Sequence, residues 1–120
     1  MKQNLIAQPY YSGFPGAHDT YNALSTASDG KVYYVLSSED IEEGGQFYVY
    51  DPAKDTISYI GDLTEICGEK GENVISQGKS HVEFYEKDNR LYFSTHVGIY
   101  ELIDGMDRLP ENPPGGYGLY

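Results

Sequence analysis

The chain has 120 residues, the size of one domain, and a formal net charge of −11. This charge disfavours nucleic acids and anionic membranes as partners, because like charges repel and no Lys/Arg cluster is present to release counterions. The single cysteine, Cys67, rules out an intrachain disulfide framework, and no stretch approaches the ~20 apolar residues of a membrane helix. The first residues also lack the apolar core of a secretion signal, so we expect a cytoplasmic location.

The aromatic composition favours short strands joined by tight turns. The chain has 13 Tyr, 4 Phe, 14 Gly and no Trp. Tyrosine suits half-buried strands, and glycine suits the turns between them. Helical periodicity is weak and confined to residues 63–73, where two glycines limit a helix to about two turns. We therefore predict an all-β fold.

The first half of the chain predicts four strands in succession, at residues 22–26, 31–37, 46–51 and 56–63. The turns "ASDG" and "PAKD" and an acidic loop, "SEDIEEGG", separate them. This loop lacks the ligand spacing of an EF-hand, so we predict a solvated surface loop. Both faces of the second strand, "VYYVL", are apolar. In a sheet with one solvent-exposed face, apolar residues would instead alternate with polar ones along the strand.

The same pattern begins again 59 positions later (29 to 88). "HVEFY" takes the place of "NALST", and "DNRLYF" takes that of "DGKVYY". Gly30 and Asn89 are thereby equivalent, and both residue types tolerate the positive φ of a type I′ turn. "YELID" then matches "FYVYD" at 53 positions (51 to 104), so the second copy has a shorter loop, as loops permit.

A repeated four-stranded antiparallel meander is typical of a β-propeller, in which each blade packs between two neighbours. Internal duplication within an unrelated sandwich is the alternative. Two blades are too few to close a ring of about four to eight. We therefore expect a part of a larger propeller, or assembly with other copies or partners that cover the open edges.

This interpretation divides the chain into five segments. They are an N-terminal arm at 1–17, a first blade at 18–63, an inter-blade connection at 64–80, a partial second blade at 81–104 and a Pro/Gly-rich tail at 105–120. The tail ends within the strand pattern, so we expect the chain to be truncated there.

The stretch "DGKVYYVLSSEDIEEGGQFYVYDPAKDTISYIGDL" resembles a kelch-type blade, and its "VYDP" turn is the most specific part. It departs from that pattern because Leu36-Ser37 replace a glycine pair, and the outer strand lacks its tryptophan. The "WD" dipeptide of WD40 blades is also absent. Residues 77–120 resemble bacterial WD40-like propellers of the oligogalacturonate-lyase-like group, in which such segments surround a central funnel.

The three histidines are the main candidate site residues. In a blade, the connection that enters the first strand and the one that follows the second strand open on the same face. His18 and His81 precede or begin innermost strands, and His96 lies after a second strand. All three should therefore face one rim, where imidazoles suit Zn, Mn, Fe or Cu. The alternative is that each histidine is a turn residue bonded to a neighbouring carbonyl.

The lyase-like resemblance implies a manganese-dependent enzyme with histidine ligands. Lys79, beside His81, would then supply a base or a carboxylate contact for β-elimination on a uronate, and the metal would stabilise the enolate. Tyr10, Tyr11 and Tyr21 lie near the predicted funnel entry and could stack a sugar ring, although inter-blade packing is their alternative role.

Two functions follow from this sequence. The first is a binding module without chemistry of its own, which presents its surface to a protein or a carbohydrate. The second is a metal-dependent uronate lyase with a histidine-lined funnel, which uses Mn or Zn. We favour the binding module, and do not expect the isolated chain to be an enzyme, because the propeller fold serves many unrelated functions.

Overall fold

The computed structural model describes residues 3–98 and the backbone of residues 117–119. Within these ranges the regular elements are eight strands and one helical turn, so the predicted all-β class is confirmed. Their bounds are β1 Leu24–Thr26, β2 Val32–Leu36, β3 Gln46–Asp51, β4 Thr56–Asp62, α1 Leu63–Ile66, β5 Tyr85–Lys87, β6 Arg90–Tyr92, β7 Ser94–His96 and β8 Tyr117–Leu119.

The first four strands form one antiparallel meander in the order β1-β2-β3-β4. Residues 46–51 coincide with β3, and the other three strands lie within two residues of their predicted ends. The register places Leu24 opposite Tyr34 and Val35 opposite Phe47. A bulge between Phe47 and Tyr48 shifts the pairing of β3 with β4. One face of the sheet therefore carries Val35 and Phe47, and the other carries Tyr34 and Tyr48.

The equivalent turns of the two copies differ, which corrects the prediction of one shared turn type. Asp88 and Asn89 both have positive φ (52° and 59°) and form a two-residue loop, the geometry of a type I′ turn. The first hairpin instead has a longer loop, in which the N–H of Gly30 bonds to the carbonyl of Ala27 at 3.0 Å. In that loop only Gly30 has a positive φ, +79°.

The second copy is less regular than predicted. "HVEFY" was expected to be a strand, but β5 begins only at its last residue, Tyr85, and pairs with β6 alone. Phe93 separates β6 from β7, which pairs with β8. His96 is the last residue of β7, so it ends a strand instead of following one. The predicted strand "YELID" lies outside the described residues, and the tail is described only at 117–119.

The hydrophobic core lies between the meander and the β5–β6 hairpin. Its buried residues are Ala23, Val35, Phe47, Leu63 and Phe84, with Tyr33, Leu91 and Phe93 packed against them. The ring of Phe47 contacts those of Phe84 and Phe93, with centroids 5.6 and 5.2 Å apart. The backbone N–H of Phe84 also donates to Ser25 Oγ at 3.0 Å. The second copy therefore covers one face of the first.

Close backbone crossings bring distant segments together at one end of the meander. The N–H of Ser38 donates to the carbonyl of Gly78 at 2.9 Å, and Lys79 and His96 exchange two backbone hydrogen bonds. A Cβ on Gly78 would lie 2.6 Å from Gly98 Cα, so only glycine permits this approach. His18 joins the same end because its N–H donates to the carbonyl of Ser37.

Candidate functional site

The structure brings all three histidines into one connected group of side chains at this end of the meander. We call it the rim cluster, and its members are His18, Asp19, Tyr21, Glu39, Lys79, His81 and His96. They come from four segments: the approach to β1, the acidic loop after β2, the approach to β5, and the end of β7.

Glu39 links His18 to Lys79 in the more exposed part of the rim cluster. His18 Nδ1 donates to the carboxylate of Asp19, and His18 Nε2 lies 3.4 Å from Glu39 Oε2. The other oxygen of Glu39 accepts a hydrogen bond from Lys79 Nζ at 2.9 Å. The Lys79 side chain is only 4% exposed, whereas that of Glu39 is 47% exposed. Glu39 therefore supplies a carboxylate from the surface to an ammonium group in the interior.

Aromatic contacts form the inner part. Lys79 Nζ lies 5.5 Å from the centroid of the Tyr21 ring. The Tyr21 ring contacts His81 at 4.0 Å between centroids, and His81 contacts His96 at 4.3 Å, both edge to face. His96 Nδ1 donates to the carbonyl of Val97 at 2.9 Å. These contacts order the two imidazoles against each other.

The environment sets the charge of two members. Burial acts to lower the pKa of Lys79, but the hydrogen bond and the charge of Glu39 outweigh it and raise this pKa. Burial is the main cause that lowers the pKa of His96, and the charges of His81 and Lys79 act in the same direction. Lys79 is thus a cation near neutral pH, which favours its predicted role as a carboxylate contact over that of a base.

The predicted metal ligands divide into two sets. His81 Nε2 is buried and has no hydrogen-bond partner among the described residues, so it fits the nitrogen donor that Mn²⁺ or Zn²⁺ takes. His18 instead groups with Asp19 and Glu39, whose ligand atoms lie within 4.8 Å of one another. The structure therefore places His81 with His96, and His18 with two carboxylates that the sequence did not single out.

A second site lies beneath the N-terminal arm, on the face of the meander opposite the hydrophobic core. We call it the tyrosine groove; it has a volume of about 460 Å³, and its lining includes Tyr10, Tyr11, Phe14, Leu24, Tyr34 and Tyr50. The sheet supplies Leu24, Tyr34 and Tyr50, and the arm supplies the others. The rings of Tyr10 and Tyr50 contact each other at 5.1 Å.

Asp55 links two of the tyrosines that line this groove. It accepts hydrogen bonds from the hydroxyls of Tyr10 at 2.6 Å and Tyr50 at 2.9 Å. The same two bonds, with Tyr10 the larger cause, lower the pKa of Asp55, and the bond to Asp55 raises the pKa of Tyr10. The Asp55 carboxylate is therefore ionised near neutral pH, and the Tyr10 phenol is neutral.

The predicted tyrosine set is thus divided. Tyr10 and Tyr11 line the groove, whereas Tyr21 belongs to the rim cluster. Tyr34 and Tyr50 were not predicted as site residues, because their place in alternating strands indicated packing between blades. Glu39 was also missed, since it lay in a loop predicted to be solvated. No local signal in the sequence distinguishes it from its acidic neighbours.

Comparison of the chain with protein-family models, with curated proteins and with solved structures gave no match. Among the described residues, none of the helical structure has the length and apolar character needed to cross a membrane.

Proposed function

We propose that the chain is a binding module, a segment of a β-propeller that holds a ligand in the tyrosine groove. The observation that supports this is the exposure of aromatic rings around a concave, mainly apolar surface. Tyr11 is 75% exposed, and Tyr10 also lies open to solvent. Concave surfaces of this kind, with a few placed polar groups, are typical of ligand sites.

The two faces of the meander have different coverage. The core face is covered by Phe84 and Phe93 of the second copy. On the other face, the short arm contributes Tyr10, Tyr11 and Phe14 and leaves the groove between itself and the strands. Burying an apolar surface of this kind under a ligand is favourable, because it removes the surface from water.

The propeller assignment is supported by how the two copies stack. The bond from Phe84 to Ser25 joins positions 59 apart, which is the spacing of the repeat. Equivalent segments therefore lie beside each other across the core, as in neighbouring blades. Further blades or other copies of the chain would complete the ring, and a protein or a carbohydrate would be the ligand.

The proposal that the tyrosine groove binds a ligand is tested by calorimetric titration of the chain with a panel of oligosaccharides and of short peptides. We expect at least one of these ligands to bind the unsubstituted chain. Tyr11→Ala should bind the same ligand about tenfold more weakly, because a contact with one aromatic ring contributes about 1–2 kcal/mol. Tyr85→Ala is the matched control, since Tyr85 is 65% exposed on β5, away from the groove. Equal effects of the two substitutions, or a panel without any ligand, would refute the proposal.

A metal-dependent uronate lyase is the second candidate, and the buried Nε2 of His81 favours it. His81 and His96 would hold the ion, and a bound Mn²⁺ or Zn²⁺ would stabilise the enolate of a uronate. Lys79 would bind the substrate carboxylate in place of Glu39, which is half exposed and able to move away.

This candidate is tested by metal analysis after equilibration with Mn²⁺ or Zn²⁺ and removal of the excess. We expect about one ion per chain, with occupancy lost in His81→Ala and His96→Ala but kept in His18→Ala. Occupancy lost only in His18→Ala would place the ion instead with Asp19 and Glu39. Metal-free protein in all samples would exclude the enzyme candidate.

A further inference from the structure

We propose that the ligand of the tyrosine groove is an apolar peptide segment of a basic protein, with Lys or Arg residues on both sides of the apolar residues. This inference rests on the proposed function, because it names the class of ligand for the same groove. Three properties of the groove support it: its lining, the state of its hydroxyl groups and the charges at its ends.

The lining favours a peptide over a sugar. Besides the tyrosines, the groove is walled by aliphatic side chains such as Val32, Leu36 and Ile57. Burying apolar side chains of a peptide against this wall removes two apolar surfaces from water. A sugar would instead bring many hydroxyls to a wall that offers them few partners, and each hydroxyl left unbonded opposes binding.

Three tyrosine hydroxyls in the groove already have partners in the protein. The hydroxyls of Tyr10 and Tyr50 donate to Asp55, and the hydroxyl of Tyr34 shares a 2.6 Å hydrogen bond with Ser12 Oγ. A sugar would have to compete with these bonds. A peptide side chain that packs against the ring faces leaves them intact.

Carboxylates stand near both ends of β2, which runs along the groove. At the Val32 end, β2 pairs with Tyr50 of β3, and β3 continues into the turn that contains Asp55. At the Leu36 end, β2 leads into the acidic loop, and Glu43 lies so close to Gly16 that a Cβ there would be 2.6 Å from Glu43 Oε2. Gly16 is two residues after Phe14 of the groove lining. Cationic residues on both sides of a bound segment would meet these carboxylates.

The charge of the whole chain selects between protein partners. The net charge of −11 attracts a basic protein over a longer range and opposes the approach of an acidic one. Lys or Arg side chains also pack favourably on the exposed ring faces of Tyr10 and Tyr11. The surface thus suits a basic protein better than an acidic one.

The test compares two peptides with the same apolar core, Lys-Lys-Val-Phe-Val-Lys-Lys and Glu-Glu-Val-Phe-Val-Glu-Glu, by calorimetry. We expect the lysine peptide to bind at least about tenfold more tightly, with an advantage that shrinks as salt screens the charges. Asp55→Asn and Glu43→Gln should each lower the affinity for the lysine peptide about threefold, which is the effect typical of losing an exposed ion pair. Glu83→Gln, at an exposed carboxylate before β5, is the matched control and should change nothing.

The outcomes separate this inference from the proposed function. Equal binding of the two peptides, or weakening by Glu83→Gln as large as that by Asp55→Asn, would refute the charge-based selection. Binding of a neutral oligosaccharide in the groove, without binding of the lysine peptide, would refute the inference and leave the binding module in place. Failure of every peptide and oligosaccharide to bind would refute both.

Discussion

Glu39 contacts both His18 and the buried ammonium of Lys79, although Lys79 lies 40 positions further along the chain. Burial alone would lower the pKa of Lys79, and this carboxylate reverses the effect. The hydrogen bond from Lys79 is also the largest cause that lowers the pKa of Glu39. A single surface side chain therefore sets the charge at the centre of the rim cluster.

At the residue scale, we predict that Glu39→Gln lowers the free energy of unfolding, measured by urea denaturation at pH 7, because it removes the carboxylate that faces the buried ammonium of Lys79. Removing one partner of a buried ion pair is destabilising by several kcal/mol, but the half exposure of Glu39 admits solvent screening and reduces the loss.

The pair Lys70–Glu65 provides the control for that measurement. Its 3.1 Å separation resembles that of Lys79 and Glu39, but both of its side chains are more than half exposed. Glu65→Gln should therefore change stability by less than about 0.5 kcal/mol. Equal losses in the two variants would show that the burial of Lys79 has no energetic weight.

At the element scale, aligned turn residues do not form the same turn. The sequence correctly indicated hairpins at both sites, because Gly30 and Asn89 both occupy positive φ. It did not indicate that one loop has two residues and the other more. Loop length depends on where strand pairing stops, and pairing ends at Thr26–Val32 in the first hairpin but continues to Lys87–Arg90 in the second.

We predict that Asn89→Ala destabilises the protein by about 1 kcal/mol, because alanine in the left-handed region lacks the local hydrogen bonding that makes asparagine tolerant there. Asn89→Gly should be neutral or slightly stabilising, since glycine adopts this φ without strain. Thermal unfolding of both variants gives the comparison. If alanine and glycine at position 89 gave the same midpoint, the positive φ would not constrain this position.

At the scale of the whole molecule, three phenylalanines hold the two copies together. Phe47 belongs to the meander, and Phe84 and Phe93 belong to the second copy. The contact between Phe84 and Phe93, at 4.6 Å, completes the group. Because Phe84 is buried, its ring is one of the largest apolar contributions across this junction.

We predict that Phe84→Ala lowers the free energy of unfolding by about 3–5 kcal/mol, through lost burial and a residual cavity. Hydrogen exchange should show the larger loss of protection in β5 and β6, because the meander keeps its own strand pairing. Tyr85→Ala, at the exposed neighbouring position, should change stability by less than about 0.5 kcal/mol. A small loss at Phe84, or uniform deprotection of the meander, would contradict a junction of this kind.

The sequence by itself determined the all-β class, the four strands of the meander and the existence of the second hairpin. Alternating apolar residues and turn residues report on neighbours close in the chain, and in these segments local preference and tertiary packing agree. The irregular approach to β5 was not predictable in this way. "HVEFY" has a strand pattern, but His81 is used in ring contacts with Tyr21 and His96, and Phe84 in the core.

The tertiary structure alone decided how the site residues are grouped. The sequence indicated that the histidines share a rim, but it could not divide them between a carboxylate pair and an imidazole pair. It also could not separate Tyr21 from Tyr10 and Tyr11. These groupings depend on backbone crossings such as that of Ser38, Gly78 and Gly98, which join segments 20 or more positions apart. Contacts of this kind leave no periodic trace in the sequence, because each partner satisfies only its own local rules.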